Sequence, residues 1–217
     1  MANSEKICKE LMFEYSEEQV NKMLAYIDLV LEKNEFINLT AIRDRDEAME
    51  KHLFDSLQIT KLDEYQNANS IIDIGTGAGF PGALLAIASP DKNFTLVDST
   101  LKRLRVIDEF AEKLNITNIK TVHARAEELA KDSAYSHNFD LCVSRAVANL
   151  TTLSAWCLPF VKKEHFFVAY KGENFKEELA AAQETIEKLG AELIKTTNYP
   201  KEFEEISNHV LLTFQMK

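Results

Sequence analysis

Cysteine is scarce in this chain. Cys8, Cys142 and Cys157 are the three among 217 residues, too few and too scattered for a disulfide framework or a thiolate metal site. They read as buried or half-buried thiols, and no metal centre is expected. No apolar run approaches the roughly 18 residues that a membrane span needs. The opening Met1-Ala-Asn-Ser-Glu-Lys6 lacks the basic-then-apolar pattern of a secretory leader. A cytoplasmic protein without a membrane partner is therefore expected. Basic residues are outnumbered, 25 Lys and Arg against 35 Asp and Glu, giving a formal net charge of −10. That argues against a protein that coats nucleic acid nonspecifically, which draws on a broad basic surface. It leaves room for a structured RNA held at one locally basic cleft. Gly/Ser linkers, low-complexity tracts and internal repeats are also missing. What is present is ordinary for a globular protein, 46% hydrophobic and 28% charged, and long enough for one well-buried core.

The pattern of apolar residues divides the chain near residue 65. An N-terminal helical region, 1–65, is expected to pack on a core domain, 66–217. In the first part Ser16-Glu-Glu-Gln19 reads as a capping box, followed by Val20, Met23, Leu24, Ile27, Val30 and Leu31 at helical spacing. Residues 34–45 look irregular, and 47–62 resume a helical pattern. From Ser70 strands alternate with helices. Strands are predicted at 70–74, 93–98, 118–123, 138–144 and 165–170, with helices at 80–88, 101–114, 150–157 and 175–189. Two last strands, 191–199 and 209–214, follow without a helix between them. Alternation of this kind implies right-handed crossovers and a doubly wound α/β sheet. The helix-free ending implies an antiparallel hairpin at one edge, typical of the adenosylmethionine-dependent (class I methyltransferase) variant of the Rossmann-like fold.

The strongest constellation is Asp73-Ile-Gly75-Thr-Gly77-Ala-Gly79 with Asp98. Glycines let the chain turn sharply out of a strand and approach a ligand closely. Asp98 ends the next strand, where this fold offers a carboxylate to a pair of ribose hydroxyls. Asp73, just before the turn, suits a ligand with a positive charge, such as the ammonium of a methionine moiety. Gly77-Ala-Gly79-Phe-Pro-Gly82 also fits the dinucleotide pattern, so a nicotinamide-dependent oxidoreductase stays open. Against it, Asp73 would repel a pyrophosphate, and Pro81 removes a backbone donor where a helix N-terminus should receive phosphate. A cofactor-binding module without turnover is a third reading.

These residues, and others in the same order along the chain, resemble the RsmG (GidB) family of bacterial methyltransferases acting on small-subunit ribosomal RNA. The resemblance runs through Asn38-Leu-Thr-Ala-Ile42, His52-Leu-Phe-Asp55-Ser56-Leu57, Asp73 to Ala86, Val97 to Arg103, Arg125-Ala-Glu127, Ser144-Arg145-Ala-Val-Ala148 and Lys171-Gly172. It implies S-adenosylmethionine as methyl donor, S-adenosylhomocysteine as product, and N7 of a guanine in the decoding-region loop of 16S rRNA (position 527 in rRNA numbering) as acceptor. It implies a 16S rRNA or small-subunit-particle partner, and we expect a monomer. By resemblance Gly75 and Phe80 contact the donor through the loop. Asp98 holds its ribose with Ser99 and Thr100 beside it, Ala126 and Glu127 lie along the adenine, and Arg145 stands at the mouth of the site. The chain departs from the family pattern at Gly82-Ala-Leu-Leu and at Glu164-His-Phe-Phe, neither of them at donor-binding positions.

Guanine N7 carries a lone pair and no proton, so its methylation needs alignment rather than a general base. The sequence fits: Ser144-Arg145-Ala-Val follows the fourth strand, not the Asp/Asn-Pro-Pro-Tyr box used on exocyclic amines. Nor is there a Pro-Cys pair for attack on cytosine. Arg145 is then a candidate for positioning the guanine or an RNA phosphate, or else it forms an ion pair with an acid such as Asp73. Lys102, Arg103 and Lys171 are candidate RNA contacts near the cleft, and Asn38, Arg43 and His52 are candidates from the N-terminal part.

Overall fold

The computed structural model describes residues 2–201 and 203–217. Helix α1 (Ala2–Glu14) leads into α2 (Glu17–Asn34), whose start is the expected capping box. The Ser16 hydroxyl accepts from the Gln19 amide at 3.3 Å, and the Gln19 side chain accepts from the Ser16 amide at 3.0 Å. The buried face of α2 carries Val20, Met23, Tyr26, Ile27 and Val30, recurring at spacings of three and four residues. Asn34 ends it and organises the irregular stretch that follows. Its amide nitrogen donates to the carbonyls of Thr40 and Ile42 at 2.9 and 3.2 Å, and its oxygen accepts from the amides of Leu39 and Thr40.

The predicted helix over 47–62 is broken into four short segments of three different pitches. These are α3 (Arg45–Ala48), a π-helical turn (Met49–Phe54), α4 (Asp55–Leu57) and a 3₁₀ turn (Gln58–Lys61). Apolar spacing cannot reveal a change of pitch, and π-turns are frequent at functional sites. A short α5 (Asp63–Gln66) leads to the sheet.

The described residues form one seven-stranded sheet in the order β3-β2-β1-β4-β5-β7-β6. Strands β1 (Ser70–Ile74), β2 (Asn93–Asp98), β3 (Ile119–His123), β4 (Phe139–Arg145) and β5 (Val161–Lys171) are parallel. Helices α6 (Gly82–Ala88), α7 (Leu101–Lys113), α8 (Ala126–Leu129) and α9 (Leu150–Cys157) connect them, and α10 (Phe175–Lys188) leads on from β5. The antiparallel ending is present with a refinement. Strand β7 (Val210–Met216) inserts between β5 and β6 (Ala191–Asn198), antiparallel to both, so β6 is the edge. Strand β5 starts earlier than expected, because the polar run Lys162-Lys-Glu-His165 shows no apolar alternation. Lys162 is instead tied to Asp140 on β4 at 2.7 Å.

Successive residues of each strand face opposite layers. Ile71, Leu141 and Val168 join α2, α6 and α7 in one apolar cluster, which extends without interruption to Ile7 and Leu57 of the N-terminal helices. Ile72, Cys142 and Phe167 join Leu153, Cys157 and Ile186 of α9 and α10 in the other. Cys142 and Cys157 are thus buried core thiols, while Cys8 is half-buried. Among the described residues no helix is long and apolar enough to cross a membrane. The order of strands reverses between β1 and β4, and at such a switch point an α/β sheet opens a crevice beyond its carboxyl ends.

Candidate active site

A cleft of about 610 Å³ occupies that crevice, within the usual range of about 300–1,000 Å³ for small-molecule sites. Its floor is the loop after β1, with Gly75, Gly77 and Phe80. One wall is Asp98 and Ser99 after β2, together with Ala126 and Glu127 after β3. Arg145 ends β4 on the opposite wall, beside Tyr170 and Lys171 of β5. The N-terminal region closes the cleft with Thr40, Lys51, His52 and Asp55. Of the residues singled out from the sequence, Asp73, Gly79, Thr100, Asn38, Arg43 and Lys102 do not line it.

Asp73 works underneath the loop. It is 1% exposed, and its Oδ2 accepts from the Thr76 hydroxyl at 2.7 Å and from the Gly82 amide at 2.9 Å. Burial raises its pKa to about 6, against the pull of those two hydrogen bonds. Oδ2 thus shapes the loop, while Oδ1 is buried with no hydrogen-bond partner among the described residues. The arrangement also bears on the nicotinamide alternative. The first amide of α6, where a dinucleotide would seat its pyrophosphate, is already engaged by an internal carboxylate.

Asp98 is placed differently. It is 5% exposed on the cleft wall, accepting from the Gly77 amide through Oδ2 at 3.0 Å and from the Thr100 amide through Oδ1 at 2.7 Å. A carboxylate offers about four acceptor positions, so two remain. Arg103 Nη1 stands 3.7 Å from Oδ2 and adds positive charge at the rim.

Arg145 does form an ion pair, but not with Asp73. Its Nη1 donates to Asp55 Oδ2 at 2.5 Å and to the Lys51 carbonyl at 3.0 Å, and its Nη2 lies 3.5 Å from His52 Nδ1. The guanidinium sits over the Phe80 ring at 5.5 Å, and His52 stacks on the same ring at 4.5 Å. Burial, and then the neighbouring Arg145 charge, push the His52 pKa down to about 3. His52 is therefore a neutral ring that braces Phe80 and hydrogen-bonds Thr40 Oγ1 at 2.8 Å.

Lys171 proves to be a loop anchor. Its side chain is 8% exposed and pairs with Glu178 of α10 at 2.6 Å, while its ammonium also donates to the Ala148 carbonyl at 3.0 Å. Glu178 in turn accepts from the Leu150 amide at 2.7 Å. The two side chains fix the β4–α9 loop from both ends, leaving Lys171 little capacity for a phosphate. Replacing Glu178 by Gln is expected to lower stability by about 0.5–1.5 kcal/mol, read by urea unfolding. An unchanged midpoint would show that the loop does not depend on this pair.

Residues 19–207 match the family GidB, described as rRNA small subunit methyltransferase G. The chain belongs to this family. A "Ribosomal RNA small subunit methyltransferase G" of Clostridium perfringens (strain 13 / Type A) is 40% identical over 98% of this chain and 89% of that protein. One of Clostridium novyi (strain NT) is 39% identical over 99% and 92%. Among solved structures, a putative O-methyltransferase from Klebsiella pneumoniae shares the fold, with a TM-score of 0.60 at 15% identity over 88% of this chain and 90% of that one.

For a GidB-family methyltransferase, family and fold imply S-adenosylmethionine as cofactor, and the residues present fit it. Asp98 keeps two acceptor positions on the wall. A Cβ added at Gly77 would meet only the Gly75 carbonyl at 4.0 Å, so a bare backbone faces the cleft. An apolar end formed by Val97, Ala126 and the partly exposed Trp156 suits a flat ring.

Sequence reasoning passed over Asp55, His209, Glu178 and Trp156. Asp55 and His209 are bonded to each other at 2.9 Å, although 154 positions separate them. Only Asp55 carried a signal beforehand, as part of the family-like string His52 to Leu57.

Proposed function

We propose that this chain transfers the methyl group of S-adenosylmethionine to N7 of a guanine in 16S rRNA, the guanine at position 527, acting as a cytoplasmic monomer on the rRNA or a small-subunit particle. The observation that carries this reading is what stands at the end of β4. It is a guanidinium held by Asp55 and the Lys51 carbonyl, where enzymes acting on exocyclic amines need an acceptor for the departing proton. N7 releases no proton, so alignment suffices, and such positioning can supply about 7–11 kcal/mol.

When bound, the cofactor supplies an electrophilic sulfonium methyl. Asp98 accepts from its ribose hydroxyls, with Ser99 and Thr100 alongside, and Ala126 and Glu127 border the adenine. Gly75, Gly77 and Phe80 enclose the remaining part. Asp73 and Gly79 hold the loop from below. Arg145 presents donors to the guanine or to a flanking phosphate. His52 and Arg103 in the cleft lining, with Lys102, Asn38 and Arg43 beyond it, are the candidate RNA contacts. The charge pattern agrees with a local footprint on an acidic protein.

Incubation of the purified chain with labelled donor and small subunits from a strain lacking this methylation tests the proposal. Label is expected in 16S rRNA at a position cleaved by borohydride and aniline, the reactivity of a 7-methylguanine. Label on another base or on protein overturns it.

A further inference from the structure

Asp55 is 1% exposed, yet it belongs to the N-terminal helical run rather than to the sheet. Three acceptors meet Arg145 from this one stretch: the Lys51 carbonyl, His52 Nδ1 and Asp55 Oδ2. The π-helical turn Met49–Phe54 and the residue after it present them to the same guanidinium. Asp55 is itself steadied from the far end of the chain, because Oδ1 accepts from His209 Nδ1 at 2.9 Å. A carboxylate can only accept, so Nδ1 carries that hydrogen. Burial pushes the Asp55 carboxyl up, but Arg145 and His209 outweigh it and hold the group below its ordinary value.

An arginine has five N–H donors. Both Nη1 hydrogens have protein acceptors, and one Nη2 hydrogen faces His52. Among the described residues no partner is assigned to Nε or to the second Nη2 hydrogen. The side chain is 12% exposed and lines the cleft. A buried ion pair is a poor device for stability alone, since apolar residues of the same size often do as well or better. Placed in a cleft wall, it is a device for direction.

We propose that Asp55 is a positioning residue for methyl transfer, fixing the Arg145 guanidinium so that its remaining donors are aimed at the RNA. This deepens the methyltransferase reading and rests on it. Asp55, whose Oδ2 is taken up by Arg145 and Oδ1 by His209, acts through Arg145. A receptor of three acceptors also suits a guanidinium rather than a lysine ammonium, which cannot present two parallel donors.

The test is a double-mutant cycle on the full chain with small-subunit substrate. Asp55→Asn is expected to lower kcat for methylation by about 100-fold, the scale of a 1 Å misplacement, with affinity for S-adenosylhomocysteine changed by less than about twofold. In an Arg145→Gln background the same change is expected to lower kcat no further, because the group it positions is gone. An equal loss in both backgrounds, wild-type activity, or a parallel loss of product affinity would overturn the proposal. Asp55→Glu, which keeps the charge but displaces it by one methylene, covers the event that Asp55→Asn folds poorly. Reduced kcat supports the proposal and wild-type kcat sinks it. Inactivity of the wild-type chain towards rRNA would instead strike the functional reading on which this one rests.

Discussion

Asp98→Ala is expected to weaken binding of S-adenosylhomocysteine by about 1.5–3 kcal/mol, roughly 10- to 150-fold, in calorimetry with the purified chain. The carboxylate stands on the cleft wall with two acceptor positions free, and a hydrogen bond to a charged group is stronger than a neutral one. Alanine also removes the anchors of the Gly77 and Thr100 amides, so part of the loss will come from a looser loop. Asp98→Asn separates the two effects. Its carbonyl oxygen can still accept from Thr100, whereas its NH₂ would oppose the Gly77 amide, donor against donor. Affinity is expected to fall nearly as far as with alanine, and the unfolding midpoint less. Arg103, relieved of the nearby charge 3.7 Å away, should leave the KM for rRNA no higher at saturating donor. Unchanged product affinity in both variants would remove Asp98 from the ribose.

The route from sequence to this site was legible where the signal was local. Asp73, the glycines and Asp98 fall within 26 positions, on two strands whose apolar runs end in turn residues, so loop and acid could be set on one edge before any coordinates. Charged side chains were harder. Whether one is buried depends on partners that spacing cannot supply. Arg145 meets Asp55 across 90 positions and not the nearer Asp73. Lys171 read as a free cation until Glu178 and the Ala148 carbonyl accounted for it. His52 stood among the candidate RNA contacts, and its depressed pKa and stacking on Phe80 add a structural part. The helical pitch of 45–61 was hidden for another reason. A π-turn shifts which side chains share a face without altering composition, and that shift is what brings Lys51, His52 and Asp55 to one arginine.

The same dependence on distant partners governs the largest expected stability effect, that of Gly79→Ala. Gly79 has φ +94°, a region that L side chains rarely adopt, and a Cβ there would lie 2.1 Å from Tyr26 Oη and 3.0 Å from the Ala83 Cβ. Tyr26 is fully buried on α2, donates to the Ala78 carbonyl at 2.9 Å, and packs edge-on against Phe80 and Phe110 at 5.9 and 5.5 Å. Backbone strain of about 1–3 kcal/mol adds to about 1–3 kcal/mol for a phenol driven from its acceptor. Together they predict a loss of about 2–6 kcal/mol by chemical denaturation, reaching the far end of single-substitution effects. Tyr26→Phe tells the two contributions apart. It removes the clashing oxygen, and the next contact, Tyr26 Cζ, is at 3.1 Å. In the Tyr26→Phe background Gly79→Ala should therefore be milder by about 1–2 kcal/mol. Strict additivity would assign the whole effect to φ. Coupling would show that the N-terminal helices and the cofactor loop are built to one another's shape, which explains why an element outside the sheet sets the geometry of its active edge.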